Sequence, residues 1–112
     1  MHLKVEAQDS RYILLVLSGR LDMAGVREVE IAFAENTSGA DRTVLVDMTE
    51  VPFVASMGVR MLLSAAKRLH GSGKRVVLIN IDAMVMEVLK MSGVESLFDF
   101  AADRETALSR LP

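Results

Sequence analysis

The chain has 112 residues, half of them hydrophobic and a quarter charged, with a formal net charge of −2, which suits a single globular domain spanning 1–112 and leaves no room for a second. Cysteine is absent and the two histidines, His2 and His70, are far apart, so disulfides and thiolate chemistry are excluded and a metal or histidine-based catalytic cluster is not expected. No apolar run approaches the roughly 18 residues of a membrane span, and the acid-bearing start MHLKVEAQDS lacks the core of a secretory signal, so the reading is a cytoplasmic protein without membrane insertion, and the net charge gives no reason to expect nucleic acid.

LKVEA, residues 3–7, alternates apolar and polar and predicts a half-buried strand. YILLVLSG, 12–19, predicts a second strand, paired with the first as a hairpin across QDSR. Asp22 stands where a helix cap belongs, ahead of Val26, Val29 and Phe33 at helical spacing. That helix should fade at the turn formers Asn36-Thr37-Ser38-Gly39. TVLVDM, 43–48, has the pattern of a strand covered on both faces.

After Ser56 the period changes. Val59, Leu62, Leu63, Ala66 and Leu69 form one stripe of an amphipathic helix that Gly71 is placed to end. RVVLIN, 75–80, predicts another buried strand, and Asp82 caps a helix whose inward residues are Val85, Val88 and Leu89 and which stops near Gly93. SLFDF, 96–100, gives a short last strand, and Asp103 starts a terminal helix through Leu108. A hairpin followed by alternating helices and buried strands predicts an α/β domain with a mainly parallel sheet and three layers.

Charge is unevenly spread. Arg60, Lys67, Arg68, Lys74 and Arg75 put +5 on one segment without an acid, leaving −7 on the rest. Such a patch can be a solvated helix face, or it can steer an acidic partner or phosphate-bearing ligand. GSGK, 71–74, is not a phosphate-binding loop, because Arg68 stands where its first glycine belongs and Arg75 where a hydroxyl should follow the lysine. Nor is Ser56 a nucleophile elbow, since Val54 replaces the first glycine and no histidine is placed as a base. Asp47 and Glu50 read as surface and turn residues, and Met57 and Met61 as core-type methionines lying partly exposed. No cofactor, metal or catalytic residue is assigned.

Ser56 has two readings on position alone. A serine in a first helical turn caps free N–H groups. The same N–H groups and the helix dipole tolerate a phosphate there, which would add about −1.5 to −2 charges. Gly58 would leave room for a kinase or partner to approach the turn.

The passage from VLVDM through VPFVASMGVRMLL, together with GRLD at 19–22 and MSGVESLF at 91–98, resembles the signature regions of STAS domains, the fold of bacterial anti-sigma factor antagonists. The resemblance covers essentially the whole chain. It implies that Ser56, at the start of the second helix, is the residue phosphorylated by a partner that is both serine kinase and anti-sigma factor. It further implies that the unphosphorylated form binds that partner and that a phosphatase resets the cycle. Asp22, Ala55, Met57, Gly58 and Arg60 are then the expected partner-binding residues. The family's Asp-Ser-Ser-Gly or Asp-Ser-Thr-Gly turn is here Ala55-Ser56-Met57-Gly58, which removes a carboxylate and a hydroxyl from the site. Alternative expectations are a STAS subunit docked on a membrane transport assembly, and a binding module for a nucleotide or other small ligand.

Overall fold

The computed structural model describes residues 1–39 and 42–111. Strands β1 (His2–Gln8) and β2 (Tyr12–Ser18) form the antiparallel hairpin, with a bulge between Val5 and Ala7. Helix α1 (Met23–Thr37), strand β3 (Thr43–Glu50), helix α2 (Ser56–His70), strand β4 (Val76–Ile79), helix α3 (Ala83–Met91), strand β5 (Asp99–Ala101) and helix α4 (Arg104–Ser109) follow. The strands lie in one sheet in the order β1-β2-β3-β4-β5, parallel from β2 onward.

This order decides where the helices go. Each parallel strand is added on the same side of its predecessor, so crossovers of one hand carry α1, α2 and α3 to the same face. Ile13, Leu15 and Leu17 of β2 and Val44, Val46 and Met48 of β3 meet these helices in the larger core. The alternate residues Leu14, Leu45, Val77 and Ile79 point the other way and pack with Ala107 of α4 in a smaller cluster. The three layers are therefore unequal, with three helices on one side and one short helix on the other.

The α2 stripe is inward as expected, with Val59, Leu62, Ala66 and Leu69 buried and Leu63 packed on the core at its margin. On α1, Val26, Val29 and Phe33 are buried, and emptying a site like that of Phe33 typically costs about 3–5 kcal/mol. Met61 is also buried, at 9% exposure, because it sits on the α1-facing side of α2. The expectation that it lies partly exposed is corrected, while Met57 does lie partly exposed.

The start of the last strand differs from the sequence reading. Ser96 and Leu97 are not strand but part of a 3-10 turn, Glu95–Leu97, in which Leu97 N–H donates to Val94 O at 3.0 Å and Phe98 N–H to Glu95 O at 3.2 Å. Donors satisfied locally cannot join a ladder, so β5 begins only at Asp99. Gly71 does end α2, but in a right-handed conformation, and the left-handed position is Gly73, at φ 72°.

Candidate functional site

At the C-terminal edge of the parallel strands two neighbouring connectors, 19–22 and 51–55, each open a helix. Asp22 is the extended residue before α1, and its Oδ1 accepts from Gly25 N–H at 2.9 Å. That bond is the main reason the Asp22 carboxyl lies below its ordinary value; desolvation opposes it, and the guanidinium of Arg20 at 3.5 Å adds to the lowering. Arg20 also lies over the Phe53 ring, 4.3 Å from its centroid, and so links the connectors. The backbone links them more firmly. Leu21 N–H donates to Phe53 O at 2.9 Å, Ala55 N–H donates to Leu21 O at 3.0 Å, and Leu21 and Val54 form an isolated parallel bridge.

Asp22 and Ser56 are thus each one residue from a shared hydrogen bond. At the start of α2 the extended residue is Ala55, which has no side chain to cap with, and Val59 N–H donates to Ala55 O at 3.0 Å. Ser56 is already helical and exposed, and among the described residues its hydroxyl makes no hydrogen bond. The reading of Ser56 as a cap is therefore corrected: a capping oxygen must hang from the extended residue, and that is residue 55.

Gly58 is buried. A Cβ there would lie 2.7 Å from both the Cγ and the carbonyl oxygen of Leu21. Its role is to let α2 press on the Leu21 connector, and the expected space on the outer side for a kinase is not what it provides. Arg60, one turn on, is exposed and has no ion pair among the described residues. The exposed part of the site is therefore Ser56, Arg60 and Arg20, with Ala55, Met57, Asp22 and Phe53 partly exposed around them. Sequence reasoning missed Arg20 and Phe53; GRLD and VPF contained them, but nothing in either motif signals that the ring and the guanidinium stack.

The basic segment does not form one free patch. Arg75 pairs with Asp99 at 3.0 Å and donates to Ser96 O at 3.3 Å, and Arg68 donates to the hydroxyl of Thr37 at 2.8 Å. Asp47 also departs from expectation. It is not a surface residue but is 6% exposed on the α4 face, accepting from Thr49 N–H at 2.9 Å, Thr49 Oγ1 at 2.6 Å and Arg104 Nε at 2.7 Å. Burial pushes its carboxyl up, and the bonds from Thr49 and Arg104 outweigh this and leave it below the ordinary value. Arg104 reaches on to Glu6 at 3.8 Å and so ties α4 to the far strands of the sheet. No helix among the described residues is long and apolar enough to cross a membrane.

A family model described as "Mlab, STAS domain" matches residues 5–99. A Bordetella bronchiseptica protein bearing the name anti-sigma factor antagonist BtrV is 30% identical over 95 residues, 85% of this chain and 82% of that protein. Among solved structures, the Bacillus cell fate determinant SpoIIAA in its phosphorylated form matches with a TM-score of 0.73 at 23% identity, covering 97% of this chain and 98% of that one. A Planctomyces limnophilus STAS domain protein, an anti-sigma factor antagonist by name, matches with a TM-score of 0.81 at 19% identity, covering 96% of each chain. With the fold and these matches in agreement, the chain belongs to the STAS domain family, with homology to anti-sigma factor antagonists.

Proposed function

We propose that the protein is a partner-switching regulator that binds a serine-kinase-type anti-sigma factor or related kinase through the turn Ala55 to Arg60, and that phosphate on Ser56 weakens the complex. The observation that carries this reading is an exposed hydroxyl, bonded to nothing among the described residues, on the first turn of a helix whose N-terminus has no side-chain cap. Free N–H groups and the positive dipole end accept a phosphate there without unfolding the helix. Arg60, unpaired among the described residues, stands one turn away as a partner for phosphate or for an acidic surface. Two added charges at an interface lose hydration unless the other side supplies cations. About 3 kcal/mol of net penalty weakens binding roughly a hundredfold.

The test is calorimetry of the wild type, Ser56→Ala and Ser56→Asp against a partner recovered from the native cell. Ser56→Ala should bind like wild type, and Ser56→Asp more weakly, by less than the phosphate does. Equal affinities for all three, with no phosphoserine in cells, would reduce Ser56 to an ordinary helix residue. Ala55→Asp restores the family carboxylate and should raise the rate of modification by that kinase. The protein itself should turn over no ester, phosphoester or nucleotide.

A second reading, a STAS subunit docking on a membrane transport assembly without phosphorylation, draws on Ala55 and Met57, which leave no carboxylate beside Ser56. Recovery of a transport ATPase instead of a kinase, with unmodified Ser56, would favour it.

A further inference from the structure

Helices α1 and α2 follow adjacent parallel strands and run side by side in the same direction. Between their outer surfaces lies a groove of about 590 Å³. Its floor is apolar, formed by Val26 and Phe33 of α1 and Met57 and Met61 of α2. It is open at mid-length because the residues lining it there, Ala34 and Ser64, are small. Ile31, on the α1 lip, is 70% exposed.

The walls carry opposite charge. Glu30 and Glu35 line the α1 side, and Arg60 and Arg68 line the α2 side, yet no ion pair joins the walls among the described residues. Arg68 instead closes the far end by donating to Thr37 Oγ1, whose residue is only 1% exposed. The near end opens beside the Ser56 turn.

We propose that this groove receives one amphipathic α-helix of a partner protein, apolar stripe on the floor, acidic flank toward α2 and basic flank toward α1. The proposal rests on the reading of the chain as a partner-binding protein but not on modification of Ser56. A trough between two parallel helices, open along residues 26–38, is roughly 18 Å long, about three helical turns. A small anion would satisfy the arginines and face two carboxylates, and a cation would meet the reverse. A helix carries both signs on separate flanks, and the charge pattern also sets its direction.

The probe is a designed helical peptide of about four turns with a leucine stripe, glutamates on one flank and lysines on the other. It is titrated into the isotope-labelled full chain and followed by NMR and fluorescence anisotropy. Amides within 26–38 and 57–68 should shift, and peptides with glutamate on both flanks or lysine on both flanks should bind at least tenfold more weakly. Exchanging the two flanks should reverse the peptide's direction, so that a spin label on its N-terminus broadens the opposite end of the groove. Ser64→Trp, with its fold checked by circular dichroism, should abolish binding. Absence of binding, shifts elsewhere, equal affinities for the single-sign peptides, or an unchanged direction would overturn the proposal. So would a concentration-dependent mass that Ser64→Trp abolishes, which would assign the groove to a second copy of this chain. Peptide binding is read on the unmodified wild-type chain with no kinase present, whereas the switch is read against the recovered partner, so a failed switch and a failed groove give different results.

Discussion

The first turns of α1 and α2 are built on one plan and differ in whether the extended residue carries a capping side chain. Asp22-Met23-Ala24-Gly25 and Ala55-Ser56-Met57-Gly58 each place an extended residue before the helix and a buried glycine three positions later. Both glycines face the same connector, Gly25 the carbonyl oxygen of Arg20 and Gly58 that of Leu21. At the extended residue, what distinguishes them is the capping side chain. Asp22 accepts from Gly25 N–H, as Asp82 does from Met84 N–H and Asp103 from Thr106 N–H at the starts of α3 and α4, whereas Ala55 offers nothing to Gly58. Close packing on Leu21 thus holds α2 in place without a cap, and its terminal N–H groups stay available.

The largest effects should come from what the two turns share. Gly25→Ala drives a Cβ into the Arg20 carbonyl and Gly58→Ala drives one to 2.7 Å from that of Leu21. Backbone cannot give way as a side-chain tip can, so each should cost about 3 kcal/mol or more, Gly25→Ala the greater, measured as a loss in urea midpoint. A small loss for either would mean that the connector is not rigid.

The next effect separates the turns. Asp22→Ala should lower the melting temperature, and Ala55→Asp should raise stability by about 0.5–2 kcal/mol by giving α2 the cap that α1 has. No gain from Ala55→Asp would show that the N–H groups of α2 are already satisfied. Acid should act on α1 and spare α2. Asp22 in the folded chain titrates below 3.8, its ordinary value, so its contribution is present above that value and is lost as pH falls through the lower folded one. Asp47 has the same sign. Stability should therefore hold from neutral pH to about 5 and decline below it, and Asp22→Asn should flatten that decline. Amide exchange at the start of α2 should show no matching step. The smallest effect is Ser56→Ala, within about 0.5 kcal/mol of wild type, because the lost hydroxyl bonds nothing within the described chain. A larger loss would restore Ser56 as a cap.

What could be read from the sequence was local. The helix stripes and the caps Asp22, Asp82 and Asp103 announce themselves within a few residues, because periodicity and capping act over one or two turns. The serine and its departures from the family turn were legible for the same reason. The inward aim of Gly58 was not, since it depends on Leu21, 37 positions away in the chain. Nor was the burial of Asp47. Its partner Arg104 lies 57 residues on, and only the return of α4 across the sheet brings them together. The oppositely charged walls of the α1–α2 groove are likewise a property of two helices set side by side, and neither helix alone reveals them.

The bonding of Leu21 to both Phe53 and Ala55 has a kinetic consequence. Donor, acceptor and bridge all fall on one residue pinned beneath Gly58, so the Ser56 turn is tied directly to the neighbouring connector. Charge placed on that turn would change what the surface attracts while leaving its shape alone. No microsecond-to-millisecond rearrangement would then precede a change of partner. Under the proposed switch, the time to exchange would be set by how fast the old complex dissociates and how fast an enzyme reaches the serine.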